Sequence, residues 1–271
     1  MLSAAVDDGL GSISRFRTQN RERTVEEFTV ELAEVPVRIR CKHHQTRSYL
    51  AAFSTDREPY FTVEPEESDL ARVQAEFDRT AALEERSGEA LAPWYLENTA
   101  VHALLAEGLT AYNVLLMHGS ALSMDGKAYI FTASSGTGKS THARLWRELY
   151  GERVVMINDD KPMLRIADDG ITVYGTPWRG KHRLGMNGSA PLCAIVSLER
   201  GAENRIEPMQ KAEAFPVLMK QAFSSKDPAT MTRILAMEQT LLEKIPFFLL
   251  HCNMDPDAAR VAYEGMRERI R

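Results

Sequence analysis

The stretch Ala133-Ser-Ser-Gly-Thr-Gly-Lys-Ser-Thr141 has residue types and spacing suited to holding phosphate. It fits the phosphate-binding loop G-x-x-x-x-G-K-[ST], with Ala133, another small residue, in place of the first glycine. Gly136 and Gly138 let the backbone curl so that successive N–H groups and a helix N-terminus face a β-phosphate. Lys139 adds a positive charge for the β/γ oxygens, and the hydroxyl of Ser140 can ligate Mg²⁺. Ser134, Ser135, Thr137 and Thr141 complete the expected nucleotide contacts. The context agrees, because the apolar run Ala128-Tyr-Ile-Phe-Thr132 enters the loop as a strand and His142 to Tyr150 leaves it with helical composition. The bland alternative is a chance match in a Gly/Ser loop.

Asp159 and Asp160 close the apolar strand Val154-Val-Met-Ile157, which leaves room for one helix and one return strand after Lys139. A metal-organising carboxylate is expected there. Adjacent side chains on extended backbone point opposite ways, so one of the two faces the γ-phosphate unless the strand has already ended. One acid would hold Mg²⁺ and the other would accept a proton from an attacking hydroxyl, a step worth ~10²- to 10⁴-fold in rate. A strand-end acidic turn before Pro162 is the alternative.

His118 is expected near the same end of the sheet, on a strand paired by hairpin to the one entering the loop, with a purely structural role as the alternative. The segment Gly175-Thr-Pro-Trp-Arg-Gly-Lys-His-Arg183 sets cations, Arg179 and Lys181 among them, beside an aromatic ring. It could clamp a phosphate or an acidic acceptor, or be a solvated basic loop. Trp146 and Met186 read as core.

The chain has 271 residues, 44% hydrophobic and 26% charged, the composition of an ordinary globular protein of one large or two modest domains. A formal charge of -5 argues against nucleic acid or an anionic membrane as the main partner. Three cysteines, Cys41, Cys193 and Cys252, at wide spacings with no CxxC pair, make neither a disulfide framework nor a zinc site. No apolar run approaches the ~20 residues that span a bilayer, and the acidic N-terminus does not read as a signal peptide, so a cytoplasmic location is expected.

Strands are expected at Val35 to Cys41 and Tyr60 to Val63, and helices over Leu70, Val73 and Phe77 and from Pro93 to Glu107, stopped by Gly108. Residues 1 to about 25 lack periodicity and read as a loose arm. From Asn113 onward Asp125-Gly126 marks a tight hairpin and Asp168-Asp169-Gly170 a second one. A buried strand at Leu192 to Leu198, helices at Lys211 to Phe223 and Pro228 to Lys244, a strand at Pro246 to Cys252 and a closing helix from Pro256 follow. These elements predict an α/β fold with a mixed sheet in residues 113–271, preceded by a small α+β region in residues 1–112.

His118-Gly-Ser, a hairpin, Ser134-Ser-Gly-Thr-Gly-Lys-Ser-Thr141 and Ile157-Asn-Asp-Asp160 together resemble the core of the HPr kinase/phosphoenolpyruvate carboxykinase superfamily. Within it the chain is most similar to short HPr-kinase-like proteins, including kinases of lasso-peptide precursors. The resemblance covers residues 113 to 200 best and implies a P-loop kinase core of that type. It also implies Asp159 as general base, Asp160 as the metal-side acid, and His118 as the histidine that approaches the γ-phosphate or metal. The expected activity is ATP- and Mg²⁺-dependent phosphorylation of a hydroxyl, serine first, in a small peptide or small molecule, with homo-oligomers permitted. A carboxykinase-like lyase and a nucleotide-gated peptide-binding protein are the alternatives.

Overall fold

The computed structural model describes residues 25–83, 90–134 and 136–269. Residues 1–24 of the arm expected at residues 1 to about 25, and the loop residue Ser135, lie outside these.

The first strands, β1 (Glu26–Leu32) and β2 (Val35–Cys41), were not both foreseen. They form an antiparallel pair across Ala33 and Glu34, whose φ values of 49° and 65° give a turn matched to the twist of the strands. Strand β3 (Phe61–Val63) adds to β2 in parallel. Helices α1 (His44–Leu50), α2 (Glu67–Leu83) and α3 (Pro93–Leu109) accompany this sheet. Gly108 does not stop α3, as the sequence suggested. The helix runs through it to Leu109, and the glycine serves close packing instead, since a Cβ there would stand 2.5 Å from the Phe61 ring. The turn falls instead at Asn113, in the left-handed conformation at φ 57°.

The second sheet has nine strands and is mixed. Strand β4 (Val114–Leu116) pairs with β8 (Met163–Ala167), then comes β9 (Gly170–Tyr174), then the first residues of β10 (Ser189–Arg200), each pair antiparallel. Farther along, β10 lies parallel to β6 (Lys127–Thr132) on one edge and to β12 (Phe247–Cys252) on the other, with β11 (Arg205–Pro208) beyond β12. On the other flank β6 is followed by β5 (Ser120–Met124) and β7 (Val154–Asn158). The β5–β6 hairpin turns on Asp125 and Gly126, both at positive φ, as the sequence signalled.

Side-chain alternation along the central strands feeds two cores. Phe131, Val196 and Phe248 face one side and pack with Trp146 of α4 (Lys139–Tyr150) and Ala259 of α7 (Asp257–Arg267). Ile130, Ile195 and Phe247 face the other, against Leu218 of α5 (Lys211–Gln221) and Ile234 of α6 (Pro228–Lys244). Trp146 is fully buried, and truncating it to alanine would cost about 3–5 kcal/mol. Met186, by contrast, is 43% exposed rather than core, because its segment only skirts the end of β7. A third cluster joins Val37, Leu50 and Leu105 to Leu116, Met163 and Trp178, so residues on both sides of position 112 share one interior.

This topology decides where chemistry can gather. Strands β6, β7, β10 and β12 run in the same direction, so Thr132, Asn158, Arg200 and Cys252 end at one edge of the sheet. The start of β5 lies at that edge too, with Ser120 opposite Phe131 and Ala121 opposite Asn158.

Candidate active site

Strand β6 delivers the chain into the glycine loop. Gly136 at φ 74° and Gly138 at φ 119° take conformations that side chains disfavour, which accounts for glycine at both places. The N–H of Thr137 donates to Ser134 O at 3.3 Å, and helix α4 begins at Lys139 with no side chain capping its first turn. The N–H groups of a helix's first turn have no partner within the helix and suit an anion. The Nζ of Lys139 folds back onto Ala133 O at 3.1 Å. Burial holds this ammonium below its ordinary pKa, while the negative charges of Asp160 and Asp159 pull the other way.

Strand β7 ends at Asn158, so the acid pair lies just beyond extended backbone rather than on it. Asn158 Oδ1 accepts from the N–H groups of Asp160 (2.8 Å) and Lys161 (2.7 Å), turning the chain sharply. The Asn158 amide in turn donates to Thr176 Oγ1 at 2.9 Å, and Thr176 Oγ1 donates to Lys161 O at 2.8 Å. The two acids therefore have different surroundings. Asp159 is 5% exposed and its Oδ1 accepts from Ser120 Oγ at 2.7 Å. Asp160 is more open and faces His118, with Nε2 to Oδ1 at 3.4 Å. Burial acts to raise the Asp160 pKa, but the His118 contact and the Lys161 charge more than offset it, and the carboxyl sits below its usual value.

His118 does not sit on a strand hairpinned to β6, as the sequence suggested. Strand β4 pairs with β8 instead, and His118 lies in the crossing between β4 and β5. Gly119 makes that crossing possible, since a Cβ there would stand 2.9 Å from Ile130 Cγ2. The position is pinned by His118 N–H to Gln221 O (2.7 Å), Thr132 Oγ1 to His118 O (3.0 Å) and Gly119 N–H to Asp160 O (3.0 Å). The histidine thus reaches the glycine-loop end of the sheet by a different route.

The basic segment also arrives. A Cβ on Gly180 would stand 3.1 Å from Asp160 Cβ, so Arg179 and Lys181 flank a glycine packed on the acid pair. Arg179 is held by its Nε to Thr176 O at 3.3 Å and by the Phe53 ring, 5.9 Å from its guanidinium carbon; Lys181 is exposed. The preceding region supplies the wall behind Arg179. Trp178 packs against His102, with ring centroids 4.4 Å apart, and against Tyr49 at 6.3 Å. Burial raises the Tyr49 pKa, whereas the charges of Arg183 and Arg179 act to lower it.

Ser140 and Thr141 occupy the first turn of α4, which begins at Lys139, three residues before the helix expected from His142, with Ser134, Gly136, Thr137 and Gly138 before them. Two clefts flank the loop, one of about 560 Å³ toward α5 and one of about 520 Å³ toward Asn253 and Met254. Sequence reasoning gave no role to Ser120, Asn158, Thr176, Lys220 or Arg200. Ser120, two residues after His118, and Asn158, next to Asp159, each carried a signal in their closeness to a residue already suspected. Lys220 and Arg200 carried none, because only the tertiary fold brings them to the loop.

No protein-family model matches the chain, and no curated protein matches it. Among solved structures the chain is similar to the Hpr(Ser) kinase/phosphatase from Coxiella burnetii, at 9% identity and a TM-score of 0.33, over 57% of this chain and 97% of that one.

Proposed function

We propose that the chain is an ATP-dependent kinase that transfers the γ-phosphate to a hydroxyl, serine first, in a small peptide or small molecule. The observation that carries this reading is one sheet edge bearing a glycine loop with its lysine at a helix start, two acids in unlike surroundings, a histidine and a basic loop.

In this reading the loop amides and Lys139 hold the β/γ-phosphates. Asp159, oriented by Ser120, accepts the proton of the acceptor hydroxyl as its oxygen forms the bond to phosphorus and ADP leaves. Arg179 and Lys181 steady charge on the acceptor side, and His118 sets the orientation of Asp160. The donor set fits Mg²⁺, which takes one or two carboxylates together with substrate phosphates rather than a protein cage. Asp160 is ionised and open, Ser140 offers a hydroxyl, and the described residues contain no cluster of three or more His, Cys, Asp or Glu that could enclose an ion. When bound, Mg²⁺ would neutralise charge on the phosphate oxygens.

The test is mass spectrometry of acceptor pools incubated with ATP and Mg²⁺: free serine and other small hydroxyl compounds, serine-ended peptides, and the phosphocarrier protein HPr. A phosphorylated product in one pool supports the kinase and selects the acceptor. Binding of ATP without any product speaks for a nucleotide-gated binding protein.

A further inference from the structure

Two cations from outside the loop motif grip the glycine loop. Lys220, in the last turn of α5, places Nζ 3.0 Å from Ser134 Oγ, and Arg200, at the end of β10, donates from Nη2 to Gly136 O at 2.8 Å. Both side chains are exposed, and among the described residues neither has an ion-pair partner. Glu199, the nearest acid in sequence, turns to His251 instead, at 3.7 Å. An ammonium and a guanidinium resting on neutral loop oxygens gain Coulomb attraction when these are exchanged for anionic phosphate oxygens. Both residues line the cleft of about 560 Å³ on the α5 side of the loop.

Granting the phosphate-loop reading above, on which this depends, we propose that Lys220 and Arg200 bind the nucleotide's phosphates, exchanging Ser134 Oγ and Gly136 O for phosphate oxygens. The loop motif then supplies one of three cations at the polyphosphate, and α5 and β10 supply the other two.

Calorimetric titration of the full chain with Mg·ATP, and separately with inorganic tripolyphosphate, tests this. Lys220→Met and Arg200→Met should each weaken both ligands by about tenfold, the size of one lost charge-assisted contact. Lys220→Arg should recover most of the loss. Lys211→Met, which removes the same charge from the far end of α5, should stay within twofold of the unaltered chain. Unaltered affinity in both Met variants overturns the assignment and leaves the phosphate loop intact. A loss confined to ATP, with tripolyphosphate unaffected, places the contact on the nucleoside and overturns it as well. Failure of the unaltered chain to bind either ligand overturns the phosphate-loop reading and the assignment together.

Discussion

Ser120 donates from Oγ to Asp159 Oδ1 at 2.7 Å, and both residues are buried. The bond ties the strand that leaves the His118 crossing to the acid that follows β7, two segments that meet only because β5 lies between β6 and β7. Ser120→Ala removes the donor and strands a buried carboxylate oxygen, so a destabilisation of about 1.5–3 kcal/mol is expected in urea unfolding. Nucleotide affinity should hold, while turnover falls by on the order of tenfold or more as the carboxylate loses its orientation. A variant as stable and as active as the parent would remove Ser120 from the site.

The unlike surroundings of the two acids separate their roles by experiment. Asp159→Asn should keep nucleotide binding and lose about 10²-fold or more in turnover, the loss expected of a general base. Asp160→Asn should instead raise the Mg²⁺ concentration needed for half-maximal turnover. Reversal of the two phenotypes would exchange the base and the metal-side acid. Lys139→Ala should cripple both binding and turnover, and unchanged ATP affinity would argue against the phosphate loop.

The loop, its flanking strand and helix, and the acid pair were legible because each is a local pattern: two glycines that need positive φ, an apolar run, an asparagine followed by acids. Helix α6 was read to its ends from Pro228 and Lys244, where Asp227 caps the first turn through Thr230 N–H. What could not be read is set by long-range pairing. The run from Val114 to Leu122 reads as one strand because both halves are apolar, yet the halves belong to different strand pairs, β4 with β8 and β5 with β6. Gly108 looks like a helix stop in sequence, and only the Phe61 ring lying against it reveals a packing role. Arg200 and Lys220 meet the loop across long separations for which no local spacing gives a sign.

Acid should weaken the fold through buried neutral histidines. Burial holds His142 down to about 3, and its Nε2 accepts from Trp146 Nε1 at 2.9 Å. Unfolded, the ring titrates near its ordinary value of about 6.5, so between these values the unfolded chain binds the extra proton. Its share of stability is therefore complete above about pH 6.5 and falls as pH drops toward 3, by about 1.4 kcal/mol per unit. His102, also pushed down to about 3 by burial and by Lys161, acts in the same direction. Urea midpoints measured from pH 7 to pH 4 should fall steeply, and His142→Leu should flatten the slope by about one proton's worth. An unchanged slope would mean that the imidazole is charged in the folded chain.

Gly175 gives the sharpest structural test. A Cβ built there would stand 1.9 Å from Met186 O and 2.8 Å from Ile157 O, both backbone atoms that cannot swing aside. Gly175→Ala must therefore push the Gly185–Met186 segment off the end of β7, breaking Met186 N–H to Ile157 O (3.1 Å) and disturbing Gly175 N–H to Gly188 O (2.9 Å). Overpacking of this kind costs about 1–3 kcal/mol and here falls at the upper end, because the clash is with main chain. The same displacement reaches Thr176, which links Asn158 to Lys161, so the acid pair loses its frame. Gly175→Ala should lower the urea midpoint and cut turnover together. Gly126→Ala, at a hairpin turn with nothing within 4 Å of its Cβ position, should lower stability by about 1 kcal/mol and leave turnover per folded molecule unchanged. Equal effects of the two substitutions on turnover would show that the Thr176 link does not position the acids.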